Sequence, residues 1–171
     1  MATIRGALGF CTGTTGLLTA SIGGGSWVSG SPLVAGVGIS SGLVSGLTTG
    51  TSTITYTTSG GCDSRVEVTV NSAPGAIAGG LHVCTGDTIQ LSDGTGGGTW
   101  SSGSPGIASV TPTGRVAGLV PGTATITYSL GTGCEVVAVV TVQATPAAIA
   151  GSGSVCVGSS VTYSDATAGG M

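Results

Sequence analysis

Five cysteines, Cys11, Cys62, Cys84, Cys134 and Cys156, carry the covalent chemistry available to this chain, and their spacing is regular. The first two lie 62 − 11 = 51 residues apart and the next two 134 − 84 = 50. Near-equal intervals are what one disulfide per module produces, so the spacing predicts the pairs Cys11 with Cys62 and Cys84 with Cys134. A zinc site would require clustered ligands such as C-x-x-C with histidines, and the sequence has none. Cys156 is left over, unpaired or open to an intermolecular bond. Disulfides persist in oxidising compartments, so the expected home is extracellular or at the cell surface. They would also matter energetically. A module of about 70 residues buries only about 60% of its surface, while closing a loop of about 50 residues contributes about 4 kcal/mol on the chain-entropy model.

The remaining reactive side chains do not assemble into a catalytic pattern. A Ser-His-Asp arrangement needs a histidine oriented by a carboxylate, and the one histidine, His82, stands in the stretch before Cys84 with no counterpart elsewhere. The acids are Asp63, Glu67, Asp87, Asp93, Glu135 and Asp165. Calcium requires several oxygen ligands close together, whereas isolated acids in turns usually cap backbone amides, which is the role expected of Asp93 and Asp165. Gly94 to Gly98 lacks the lysine and helix of a phosphate loop and reads as a hairpin turn. No enzyme, cofactor or metal is expected.

These residues sit in a chain that repeats itself. Cys84, Trp100, Tyr128, Cys134 and Pro146 restate Cys11, Trp27, Tyr56, Cys62 and Pro74 at offsets of 73, 73, 72, 72 and 72. A period of this size defines the architecture before any local reading does. The lost residue falls between Pro32 and Gly42, one longer than Pro105 to Gly114, which marks a loop. A third copy opens at Val155-Cys156-Val157-Gly158. Selection for length or multivalency needs copies, whereas a catalytic pocket usually needs one.

Composition narrows the class further. The 171 residues include 35 glycines, 5% charged and 4% aromatic residues, with a net charge of −3. Such a chain lacks the basic face that displaces counterions from nucleic acid, and no segment is long and apolar enough to span a membrane. At the start of the chain, Gly9 and Cys11 to Gly16 interrupt any signal-peptide core, so export rests on a segment outside this sequence. There is no lysine. Natural sheets often blunt their edges with lysine, so edge-to-edge association is easier here.

The elements follow from hydrophobic alternation. In the second copy, Thr88 to Ser92, Thr99 to Ser101, Ile107 to Thr111, Arg115 to Val120, Thr123 to Tyr128 and Glu135 to Val142 read as strands, with Pro121-Gly122 a strong turn. Ala124, Ile126 and Tyr128 share one face opposite three threonines. The valines of the last run occupy both faces, which predicts a strand covered on two sides. With a short strand near Cys84 this makes about seven strands, the pattern of a two-sheet sandwich. Trp27, Trp100, Tyr56 and Tyr128 are the expected core anchors. The resulting layout is an N-terminal link or edge segment at 1–9, repeats at 10–74 and 82–146, a short link at 75–81, and a link with the opening strands of a third repeat at 147–171. Pro74 with Ile77, and Pro146 with Ile149, suggest semi-rigid links carrying an apolar peg.

The stretch Gly98-Thr99-Trp100-Ser101-Ser102, Ile107-Ala108-Ser109-Val110, Gly114-Arg115-Val116-Ala117-Gly118-Leu119 and Pro121-Gly122-Thr123-Ala124-Thr125-Ile126-Thr127-Tyr128 resembles the bacterial Ig-like domains of group 2. The Val-Cys-x-Gly opening and the Gly-Cys before the last strand are similar to the tandem repeats of large secreted surface adhesins of the Bacteroidota. The likeness covers residues 10–171. It is weakest at Pro32 to Ile39, which replaces the tidier Pro105 to Val110. The resemblance implies an all-β chain of tandem Ig-like sandwiches serving as a stalk, spacer or adhesive array outside the cell. It carries over no catalytic residue. The expected partner is the protein itself, as a homopolymer or longer array, with Val155 to Met171 available as an added edge strand. The rival reading is a carbohydrate-binding module that presents aromatic side chains to surface glycans.

Overall fold

The computed structural model describes residues 1–151 and 153–166. The fold is all-β, with no helix among the described residues. Among the described residues sixteen short strands form five sheets. By internal proximity the chain divides into two compact units, the first made of Met1–Ile77, Asp93–Thr99 and Thr127–Val137, the second of Ala78–Ser92, Trp100–Ile126 and the chain from Ala138 onward.

The first repeat contains β1 (Ile4–Arg5), β2 (Gly9–Cys11), β3 (Thr15–Leu17), β4 (Thr19–Ala20), β5 (Ser26–Ser29), β6 (Ala35–Val37), β7 (Leu43–Gly46), β8 (Gly50–Thr57) and β9 (Asp63–Asn71). One sheet has the order β2-β9-β8-β5, a second the order β3-β7-β6, and β1 pairs with β4 in a small ribbon. Within the larger sheet the first strand lies parallel to the last, with Gly9, Phe10 and Cys11 beside Thr69, Val70 and Asn71. All its other pairings are antiparallel. The core lies between the two sheets: Phe10, Trp27, Ile54, Tyr56, Val68 and Val70 from one, Ala35 and Val44 from the other, closed by Leu18 and Ala2. Alternation explains the arrangement, since in β8 the buried Ser52, Ile54 and Tyr56 alternate with Thr51, Thr53 and Thr55.

The second repeat runs through β10 (His82–Cys84), β11 (Thr88–Gln90), β12 (Thr99–Ser102), β13 (Ala108–Val110), β14 (Arg115–Gly118), β15 (Gly122–Ser129) and β16 (Glu135–Gln143). Its sheets are ordered β10-β16-β15-β12 and β11-β14-β13, the same seven-strand topology of an Ig-like sandwich. Buried Val83, Leu91, Ala108, Val116, Ile126, Tyr128, Val140 and Val142 stand where Phe10, Leu18, Ala35, Val44, Ile54, Tyr56, Val68 and Val70 stand in the first copy. The lost residue falls in the turn that joins β13 to β14, where 111–114 replaces 38–42.

Three sequence expectations are corrected here. Gly94 to Gly98 is not a hairpin turn, because β11 pairs with β14 and β12 belongs to the other sheet; the glycines let the chain cross between sheets. The strand Glu135–Gln143 is covered on one face only: Val140 and Val142 are buried, while Val137 and Val139 are 55% and 54% exposed. His82 is not in a link but in β10, exposed and beside Thr141.

Segments read as links make backbone bridges of their own, outside the named strands. Arg5 pairs with Thr19, and the isolated bridges Ala78 to Ser92 and Ala150 to Ser164 repeat that pairing at 78 − 5 = 73 and 150 − 78 = 72 residues. The stretch after Pro74 and the stretch after Pro146 each bridge to the chain that follows them. Ile77 is half-buried, and Ile149 is 70% exposed. Of the proposed edge strand Val155 to Met171, residues 167–171 lie outside the described residues.

One buried polar group shows how the copies diverge. In the first, the Ser52 hydroxyl is 2% exposed, meets Ser29 Oγ at 2.9 Å and accepts from the Ser31 amide at 3.0 Å. The second copy has Ala124 at that position, and Ser102 Oγ, the counterpart of Ser29, accepts from the Ser104 amide at 3.3 Å. Because Ser29 can take over as Ser102 does, Ser52→Ala is expected to cost only about 1 kcal/mol in urea unfolding.

Candidate functional site

The cysteines occupy two kinds of position. Cys11 ends β2 opposite Asn71, and Cys84 ends β10 opposite Gln143, so both lie beside the last residue of the final strand. Cys62 and Cys134 immediately precede the first residue of that same strand, Asp63 or Glu135. Between Cys62 and Asn71 the chain advances 71 − 62 = 9 residues. At about 3.3 Å per residue that is roughly 30 Å, against a Cα separation of about 4.4–6.8 Å in disulfides. Cys134 and Gln143 are likewise 143 − 134 = 9 residues apart.

The expected pairs Cys11 with Cys62 and Cys84 with Cys134 are therefore excluded by strand register. Parallel pairing of the first strand with the last puts the two cysteines of one repeat at opposite ends of the sheet. The bond that forms is Cys11 to Cys134, with Cα atoms 5.8 Å apart and 123 residues between them in sequence. Cys62 and Cys156 are exposed free thiols and Cys84 is a half-buried one. In place of one disulfide per repeat, a single cystine joins the opening cysteine of the first repeat to the closing cysteine of the second.

The aromatic anchors form the second local feature. Trp27 and Tyr56 are 4% and 3% exposed, with ring centroids 4.6 Å apart and planes tilted by 50°. The Tyr56 hydroxyl donates to the Ile22 carbonyl at 2.7 Å and accepts from the Gly25 amide at 2.8 Å. Its counterpart Tyr128, 5% exposed, donates to the Thr95 carbonyl and accepts from the Gly98 amide at 2.9 Å. Each hydroxyl thus ties down the glycine-rich segment that crosses between sheets. Trp100 is half-buried. Tyr56→Phe removes two hydrogen bonds, to the half-buried Gly25 amide and to the carbonyl of the exposed Ile22, so a loss of about 1–2 kcal/mol in denaturant unfolding is expected.

A sugar-stacking platform needs an open aromatic face, which Trp27, Tyr56 and Tyr128 do not present. A depression is lined by Ile22 to Gly25, Ser40 and Ser41 together with Trp27 and Tyr56, but both rings are almost wholly buried.

Of the acids, Asp93 caps a turn, whereas Asp63, Glu67 and Glu135 lie in strands. Asp93 Oδ1 accepts from the Thr95 amide at 2.7 Å, and Asp63 pairs with Arg65 at 3.1 Å on the surface. Among the described residues no three acids, histidines or cysteines are grouped to hold a metal. None of the helices needed to cross a membrane is found among them either.

Comparison with known proteins bears on this arrangement. Residues 67–142 match the family model of the bacterial Ig-like domain (group 2). That Ig-like match starts within β9 and ends within β16, so it takes in Pro74 to Ile77 along with the second strand set. Domains 4 and 5 of the S-layer protein SbsC are similar at 24% identity over 75% of this chain and 82% of that one, with a TM-score of 0.34. A C-terminal 282-residue fragment of intimin, in complex with the intimin-binding domain of the translocated intimin receptor, is 18% identical over 82% of this chain and 64% of that one, with a TM-score of 0.49. Drosophila N-cadherin EC1-4 is 11% identical over 85% and 49%, with a TM-score of 0.37. No curated protein matches the chain.

Proposed function

We propose that this chain is a non-enzymatic extracellular structural or adhesive protein, two Ig-like repeats in tandem followed by the opening of a third, acting through length, stiffness and repeated weak contacts. The observation that supports this reading is the residue-by-residue return of one sandwich core, Phe10 to Val70 and then Val83 to Val142, together with a cystine that spans repeats. Repetition serves reach and avidity, which grow with copy number without any new contact. The partner is the protein itself. The edge strand β5 carries no lysine and exposes Val28, with its Trp27 amide already taken by the Ile39 carbonyl at 2.8 Å, so charge does not guard the rest of that edge.

Electron microscopy of the native material under non-reducing conditions tests the proposal. Rods or filaments with an axial repeat are expected. Compact particles whose tryptophan fluorescence responds saturably to a polysaccharide would replace this reading with the carbohydrate-binding one.

A further inference from the structure

We infer that the Cys11–Cys134 cystine is a mechanical bypass: tension applied along the chain crosses from β2 to β16 through the two sulfurs and never loads residues 12–133. The inference deepens the rod reading above, on which its use depends, by naming how such a rod resists being drawn out.

Connectivity alone sets the load path. A pull from the N-terminal side travels through β1 and β2 to Cys11, passes to Cys134 across a Cα separation of 5.8 Å, and leaves along β16. The 133 − 12 + 1 = 122 residues between the two cysteines hang beside that path. They include β3 to β15, the stretch from Pro74 to Gly79, and the buried side chains from Leu18 to Tyr128. One bond per repeat has different mechanics. Cys11 with Cys62 and Cys84 with Cys134 shield 50 and 49 residues and leave 63–83, Pro74 among them, carrying the full load. The bond that forms takes that stretch out of line.

The strands left in the path have little slack. β2 and β16 are already extended, rising about 3.3 Å per residue against a limit of about 3.3–3.6 Å. Each is pulled along its own length, β2 in register with Thr69 to Asn71 of β9, and β16 between β10 and β15. Bonds between strands run across that direction, so a lengthwise pull loads them together instead of one at a time. The two anchor points are braced by backbone bonds. The Cys11 carbonyl accepts from the Thr14 amide at 3.0 Å, and the Cys134 carbonyl from the Leu130 amide at 2.8 Å. Cys134 is 1% exposed, which restricts a reductant's approach from that side. The stretch before β2 is held by the pairs Ile4–Ala20 and Arg5–Thr19 and by the Ser64 hydroxyl, which donates to the Ala2 carbonyl at 2.6 Å. With so few contacts, that stretch yields first.

The test is single-molecule stretching of the full oxidised chain, held by peptide tags ligated to its two ends without thiol chemistry. The 171 − 122 = 49 residues outside the loop limit its length to roughly 180 Å at about 3.6 Å per residue. Dithiothreitol then opens the bypass by two successive exchanges, leaving thiols on Cys11 and Cys134 and closing its own two sulfurs into a ring. All 171 residues come into line, and the limit rises more than threefold, to roughly 600 Å. A chain carrying Cys62→Ser and Cys84→Ser together should keep the short limit until it is reduced. An oxidised chain that reaches the long limit without reductant would overturn the inference. So would a limit of roughly 260 Å, the figure for one bond per repeat with 171 − 99 = 72 residues outside the loops, or a long limit in the oxidised double variant. The short limit in a protein that forms no rods or filaments would leave the bypass standing and remove the proposed function; rods built from chains with the long limit would do the reverse.

Discussion

Gly42→Ala is expected to lower stability by roughly 3 kcal/mol, with Gly114→Ala close to it. Gly42 has φ +70° and Gly114 φ +82°, a region that costs an L side chain about 1–2 kcal/mol. Space adds to that. A Cβ on Gly42 would run into the Leu18 carbonyl and sit 3.0 Å from the Trp27 indole, and one on Gly114 would meet the Leu91 carbonyl and the Trp100 indole. Forcing a methyl into a packed core costs about 1–3 kcal/mol more. Gly61 separates the two contributions, since its φ is +79° and nothing lies within 4 Å of its Cβ position. Gly61→Ala should therefore lose only the backbone part, about 1–2 kcal/mol. Urea unfolding midpoints of the three variants measure this directly. Equal losses at Gly42 and Gly61 would mean that the indole does not pack on the glycine as described.

Cys11→Ser is the second large effect. A cystine closing 123 residues restricts the unfolded chain by about 5 kcal/mol on the loop-entropy model. The variant should unfold at a correspondingly lower denaturant concentration under oxidising conditions and match the wild type once both are reduced. Cys134→Ser should behave alike, while Cys62→Ser, at an exposed site, should stay within about 0.5 kcal/mol and the half-buried Cys84→Ser within about 1 kcal/mol. Pairing within repeats would instead make all four substitutions costly. Thermal or urea unfolding with and without reductant distinguishes the two patterns.

Much of the fold was legible because β-structure writes itself in alternation. Thr123 to Tyr128 places Ala124, Ile126 and Tyr128 inward, and the strand observed there begins one residue earlier and ends one later. The repeat offset carried the same reading to the first copy, including β6, where Pro32 to Ile39 departs from the tidier second-copy sequence yet β6 still pairs with β7 as β13 does with β14. Local pattern did not reveal which strands are neighbours. Gly94 to Gly98 looks like a hairpin turn because glycine permits either a reversal or a crossing between sheets, and only pairing decides. The cysteines failed for the same reason. An interval of about fifty residues says that a bond is affordable in entropy, not that its ends are close. A sandwich whose first strand runs parallel to its last would have placed Cys11 and Cys62 about a strand length apart. The exposed Val137 and Val139 show the converse limit, since a two-faced apolar strand need not have two covers.

Disulfide mapping of the oxidised monomer, by digestion at acid pH and mass spectrometry without reduction, tests most directly whether cystines join repeats rather than close them. A peptide containing Cys11 linked to one containing Cys134, with Cys62 and Cys84 recovered as free thiols, is the predicted result. Recovery of Cys11 linked to Cys62, together with Cys84 linked to Cys134, would contradict it.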